Sequence, residues 1–229
     1  MSQQLAHSAF PQVTSGQDDP HYDAGAEFDR QVGVLVDKGY PAVAGLDGDG
    51  FAALVAPLRG QAVARAASMS PPTRSNVPFV LVVSGRVAAP SATIELTELG
   101  GRPGFLSKDT ADIDRFEPID GIGVPAADAY LVFDVDRGKE TLNISPDDAL
   151  VILTGQGRTP LTVDEGIAFV TLFPDSLEKN NCFQLAGSRC GDRRVPGLWI
   201  SNRSPKLGFC WAGNVHTWLG AASCGARSA

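Results

Sequence analysis

Five residues separate Cys210 from His216, in a segment (residues 178–229) that holds all four cysteines, all three tryptophans and the one histidine beyond the first 23 residues. A thiol beside an imidazole is the raw material of a thiolate nucleophile, provided the ring reaches the sulfur and a third group, here Asn214 or Asp192, orients it. No string around Cys210 marks a cysteine-hydrolase family. Cys182, Cys210, His216 and Cys224 are also zinc-type donors, but structural zinc sites draw ligands in close pairs. Here seven residues lie between Cys182 and Cys190, five between Cys210 and His216, and seven between His216 and Cys224. Thiols buried as small hydrophobes are the plain alternative to either chemistry. Ser188, in AGSRC, lacks the second glycine of a nucleophile elbow.

Anion binding is the reading these residues favour. Ser188, Arg189, Arg193 and Arg194 sit in GSRCGDRR, a loop with two glycines and three guanidinium groups that offers backbone N–H donors and forked cations together. Lys206 and Asn214 occupy neighbouring turns, and Trp218 offers a stacking wall. Such a pocket suits a small anionic molecule or an acidic peptide. The competing reading makes these arginines internal partners for the acidic part of the chain. Residues 178–229 carry seven basic and two acidic side chains within a protein of net charge −7, so the rest is strongly acidic.

That balance, with a pI near 4.9, argues against nucleic acid. No apolar run reaches the roughly 18 to 20 residues of a membrane helix, and the first residues lack the basic and apolar regions of a secretory signal. A cytoplasmic protein with reduced thiols is expected. Walker, HExxH and Rossmann strings are missing, so no cofactor is expected. No pattern specifies an oligomeric state.

These groups need a scaffold, and its elements can be read in order. Residues 1–23 are polar, without sustained periodicity, and read as a disordered tail. From Ala24, Phe28, Val32, Leu35 and Val36 recur at helical spacing up to Gly39. A second helix carries Phe51, Leu54, Val55 and Leu58, with Asp47 or Asp49 as its cap. Phe79–Val83 is a buried strand, Ala92–Leu99 a partner strand, and residues 107–125 a loop with one turn near Ala111–Phe116. Tyr130–Val135 is the second long strand, with Asp134 and Asp136 on one face by alternation. Ser145 and Thr162 each cap a helix, the latter through a capping box with Glu165. Short segments at CFQL, GLWIS, LGFCW and VHTWLG then predict an antiparallel meander. If the last two pair, Cys210, His216 and Trp218 converge.

The strings GRTPLTVDEGIAFVTLFPDSLEKN, CFQLAGSRCGDRRVPGLWIS and PKLGFCWAGNVHTWLGAASCG resemble an actinobacterial family known as domain of unknown function 5701. EFDRQVGVLVDKGYPAVAGL and YLVFDVDRGKE resemble its N-terminal half. The resemblance implies neither activity nor site residues. The expected architecture is one α+β domain, residues 24–229: N-terminal helices, a mixed central sheet and a C-terminal antiparallel meander.

Overall fold

The computed structural model describes residues 22–229. The tail expected over residues 1–23 lies outside the described residues except for Tyr22 and Asp23, as do His7 and His21.

Asp23 opens α1 (Ala24–Asp37), its carboxylate accepting from the Gly25 and Ala26 N–H groups at 2.9 and 3.0 Å. Phe28, Gln31 and Leu35 are buried along it, and Gly39, at φ 89°, ends the run where the sequence placed a stop. A short α2 (Tyr40–Val43) follows. The stretch read as one further helix is two, α3 (Gly48–Val55) and α4 (Leu58–Ala66), because Pro57 has no N–H to continue the ladder. Asp47 caps α3 through the Gly50 N–H at 2.8 Å.

β1 (Asn76–Val83) is buried along nearly its whole length. The Ala92–Leu99 segment departs from expectation: it is α5 (Pro90–Leu96), where Pro90 presets helical φ and tertiary packing overrides the β-branched Thr93 and Ile94. Only β2 (Glu98–Leu99) is extended. It returns through Gly100–Gly101, φ 57° and 77°, onto β3 (Arg102–Pro103), the two left-handed residues a tight hairpin needs. β4 (Phe105–Leu106), a 3-10 turn at Ile113–Arg115 and β5 (Glu117–Pro118) cross the Pro/Gly-rich stretch. β6 (Ala129–Asp136) is the second long strand.

α6 (Pro146–Gly155) starts at its expected cap, with Ser145 Oγ accepting from the Asp148 N–H at 3.2 Å. After β7 (Thr159–Pro160), Thr162 and Glu165 close the capping box of α7 (Val163–Leu172). The chain ends in β8 (Cys182–Gln184), β9 (Ser188–Arg189), β10 (Arg194–Ser201), β11 (Ser204–Trp211), β12 (Leu219–Ala221), β13 (Ser223–Cys224) and β14 (Ala226–Ser228).

The class is α+β. One sheet runs β1-β6-β13-β7, with β14 also on β6, antiparallel throughout. The other runs β12-β8-β10-β11-β4; its centre is the expected antiparallel meander, but β12 and β4 join parallel. The mixed pairing thus belongs to the second sheet. VHTWLG is strand only from Leu219, and β12 pairs with β8 rather than β11, so no ladder carries Cys210 and His216 side by side. β5 and β9 form a separate small ladder.

α7 lies at the middle. Every residue from Glu165 to Leu172 is buried, and the helix packs against β1, α1, α5 and β10. One apolar cluster takes in side chains of both sheets. β1 has a single strand neighbour, β6, and Gln31 serves as the missing one: its Nε2 donates to the Phe79 carbonyl at 3.0 Å and its Oε1 accepts from the Leu81 N–H at 2.8 Å.

β6 changes neighbours at Asp134, whose φ of 52° interrupts the strand between its β14 and β13 pairings. Arg158 holds this kink, donating to the Asp134 carboxylate and to Ser223 Oγ at 2.9 Å. Of the two carboxylates that alternation places on one face, Asp134 engages Arg158, while Asp136 accepts from the Gly138 N–H at 2.6 Å.

Candidate functional site

The structure distributes the sequence-predicted basic residues over several partners. Arg194 forks onto Asp112 at 2.8 and 2.7 Å, reaches Asp192 at 2.8 Å and lies between the Phe116 and Phe209 rings. Arg193 is exposed and pairs with Asp147 at 3.1 Å. Ser188 is buried, its Oγ accepting from the Val163 N–H at 3.1 Å, so it ties β9 to the start of α7. Arg189 is half-buried, donates to the Ala186 and Ser188 carbonyls at 2.7 and 2.9 Å, and forms no ion pair among the described residues. Asn214 sits exposed in the turn after β11. Lys206, Trp199, Trp218 and His216 do come together: Lys206 Nζ lies 5.4 Å from the Trp199 ring, Trp199 meets Trp218 edge-on at 6.0 Å, and the His216 ring lies 5.4 Å from Trp218, tilted by 58°.

Cys210 hydrogen-bonds to Gln184 Oε1 at 3.4 Å, while His216 packs on Trp218 with its Nε2 buried and unpartnered among the described residues. Burial pushes the Cys210 thiol up to about 11, the opposite of activation, and the Arg189 charge only partly offsets it. Cys224 is raised by burial in the same way, to about 11. Cys210 is therefore expected to react with iodoacetamide at pH 7.5 at least tenfold more slowly than a free thiol, because roughly one unit of pKa is a tenfold change in thiolate. Mass-spectrometric labelling rates check this; a rate at or above that of free cysteine would contradict it. No three His, Cys, Asp or Glu side chains among the described residues are grouped to hold one metal ion, so Cys182, Cys210, His216 and Cys224 do not converge.

A different place has the concavity of a site. Beyond the carboxyl end of β1 the chain turns through Ser84–Gly85–Arg86 toward α5 and borders a cleft of about 500 Å³. The first turn of α7 brings Asp164 to it, and Asp114, Phe116 and the Glu117–Ala126 stretch supply further walls. These walls are fastened from behind. Asp114 accepts from the Ser91 N–H and Oγ at 2.9 and 2.6 Å, the Ile119 N–H donates to the Gly187 carbonyl at 2.9 Å, and the Ile122 carbonyl accepts from Arg227 at 2.8 Å. Loops positioned by a rigid scaffold are where binding groups concentrate.

Asp164 is the central group. One carboxylate oxygen accepts from the Gly85 N–H at 2.8 Å; the other meets no hydrogen-bond donor among the described residues. A Cβ at position 85 would fall 2.8 Å from Asp164 Oδ1, so the bare glycine backbone is what lets the carboxylate come this close. Burial first, then the neighbouring Glu165, Glu117 and Asp114 charges, raise the Asp164 carboxyl to about 6 against the Gly85 hydrogen bond. Among the described residues four carboxylates (Asp114, Glu117, Asp120, Asp164) thus border the cleft against one guanidinium, Arg86, which lies 3.8 Å from Asp128.

This carboxyl makes stability depend on pH. Its folded pKa, about 6, lies above the unfolded value of roughly 3.9, so between the two the folded chain holds the proton more tightly. Stability therefore falls as pH rises from about 4 to about 6 and stays lowered above that. Asp164→Asn, whose amide oxygen still accepts from Gly85, should gain roughly 1–2 kcal/mol at pH 7.5 and nothing at pH 4. Urea unfolding at both pH values measures the difference; an equal effect at both would contradict the assignment.

Behind Asp164 lies a closed network. Glu165 and Arg227 are 1% and 2% exposed and form a forked pair, with the Tyr130 hydroxyl donating to Glu165 at 3.1 Å and the Thr162 N–H at 2.8 Å. Arg227 also donates to Thr159 Oγ1 at 2.6 Å and to the Pro160 carbonyl at 2.9 Å. The last strand thereby braces both the start of α7 and the cleft wall.

Sequence reading missed the cleft because its residues come from segments dismissed as loop or cap. One signal was present. In Thr162-Val163-Asp164-Glu165 only Thr162 and Glu165 close the capping box, so Asp164 is a first-turn acid that the box does not use.

The family model described as a family of unknown function (DUF5701) matches residues 34–229, a span that contains every cleft residue. No curated protein and no solved structure matches the chain. No helix among the described residues is long and apolar enough to cross a membrane.

Proposed function

Since the chain belongs to the DUF5701 family, which brings no reaction with it, we propose its role from the cleft: a binding module for a small, positively charged ligand held at Asp164. The observation that carries this is a carboxylate with one oxygen free of hydrogen-bond donors among the described residues, at a cleft of about 500 Å³ whose one lining cation among those residues, Arg86, pairs with Asp128. A cavity of that size with a few convergent polar groups suits a small molecule. Thermal shift with alkylammonium and guanidinium compounds, beside carboxylates and phosphates, tests it on wild type and Asp164→Asn. A ligand at 100 times its Kd adds about 2.7 kcal/mol, a visible shift. Cations are expected to raise the wild-type melting temperature and to lose that effect in Asp164→Asn. No shift, or the same shift in both proteins, would reject the reading.

A second reading keeps the anionic partner, a small anion or the carboxylate of an acidic peptide. Gln184 is 1% exposed with its Nε2 unpartnered, and Arg189, whose charge is felt at the same Cys210 thiol, has no carboxylate. An acceptor reaching both would satisfy two under-used donors. Its mark is a phosphate- or acetate-induced stabilisation that disappears in Arg189→Gln and survives Asp164→Asn. All four cysteines are free thiols, which supports a reducing, cytoplasmic setting.

A further inference from the structure

The carboxylates around the cleft are spread rather than gathered. Asp164 comes from the first turn of α7, Asp114 from the 3-10 turn, and Glu117 and Asp120 from the segment that begins with β5. They border one cavity, yet no three of them are grouped closely enough to share an ion. A hard divalent cation needs six or more oxygens converging at roughly 2.0–2.6 Å, so this donor set does not suit one. Phe116, Pro118, Val124 and Pro125 line the same cleft and add apolar surface to a wall that is otherwise polar. Among the described residues Glu117 and Asp120 form neither an ion pair nor a side-chain hydrogen bond.

Separated negative charges joined by an apolar surface are the complement of separated positive charges joined by methylenes. Resting on the reading of this cleft as a cation site, we infer that its occupant is a linear diamine or polyamine. One ammonium meets the free oxygen of Asp164 at the inner end, a second meets the outer carboxylates, and the alkyl chain lies along Phe116 and the prolines. An ammonium carries three donors and no acceptor, which matches a wall whose side-chain polar groups are chiefly acceptors. Linking two charge contacts through one chain makes the second contact intramolecular, so chain length should matter.

Isothermal titration of the full chain with propylamine, 1,3-diaminopropane, 1,4-diaminobutane, 1,5-diaminopentane, spermidine and magnesium chloride, at low salt and pH 7.5, tests the inference. The expected result is that the best diamine or the triamine binds at least tenfold more tightly than propylamine, with an optimum in chain length and with magnesium weaker than either. Asp164→Asn should weaken the diamine at least tenfold, and Glu117→Gln with Asp120→Asn should bring it down to the level of propylamine. Propylamine binding as tightly as the diamines, with loss in Asp164→Asn, would overturn the polyamine inference and leave the cation cleft standing. Magnesium binding more tightly than the amines would overturn it as well. The absence of any amine binding that depends on Asp164 would overturn both.

Discussion

Arg227→Met is expected to cost about 3–5 kcal/mol, because it leaves the Glu165 carboxylate buried without its counter-charge. The pair is 2% and 1% exposed, so water cannot replace the lost partner. The carbonyls of Ile122 and Pro160 lose their guanidinium donor as well. For a domain whose total stability is roughly 5–15 kcal/mol, that is a large share. Urea unfolding at pH 7.5 reads it as a lower midpoint. Adding Glu165→Gln to Arg227→Met should recover more than half of the loss, since the amide keeps an oxygen for the Thr162 N–H and carries no charge. A single variant within 1 kcal/mol of wild type, or a double variant weaker than the single, would contradict this account of the network.

Gln31→Leu should cost about 2–4 kcal/mol through a different mechanism. The leucine fits an apolar face, but the Phe79 carbonyl and the Leu81 N–H are left buried and unpaired, at about 1–3 kcal/mol for each orphaned group. Gln31→Glu should fare no better at neutral pH, because a carboxylate would face both the Phe79 carbonyl and Glu27, which Gln31 Nε2 now bridges at 3.0 and 2.9 Å. Hydrogen exchange offers an independent readout: the Leu81 amide should lose protection in either variant while amides in β10 keep theirs. Unchanged protection at Leu81 would mean that Gln31 does not close the edge.

The elements legible in the sequence were those whose signal is local. Caps at Ser145 and Thr162, the stop at Gly39 and the apolar runs of β1 and β6 each depend on neighbours within a few residues, and each is found in place. The Ala92–Leu99 segment misled because β-branched residues were read without the weight of Pro90 and tertiary packing. Strand partners in the C-terminal region were not legible either: β12 chooses β8 over β11, and β13 and β14 cross to the other sheet, through contacts that no local pattern encodes. Gln31 was visible in hindsight as a polar residue on the apolar stripe of Phe28 and Leu35. The basic segment drew attention by its composition. Arg193 and Arg194 instead face acids from distant parts of the chain, Asp147 and Asp112, which is the internal pairing that the opposite charges of the two parts allowed. The cleft carboxylates were harder to see, since solvent-facing acids are common and only the fold shows that four of them share one hollow.

β6 takes its two flanks from very different times in the life of the chain. β1 is made before it, whereas the strands on its other side, residues 223–228, leave the ribosome long afterwards. Until they arrive, one side of a strongly apolar strand stands bare, and Glu165 has no guanidinium to meet. Closing so wide a loop is slow, and an uncovered strand flank invites contact with other chains. During synthesis the nascent polypeptide thus has a window of exposure that shuts only when Arg227 slides home.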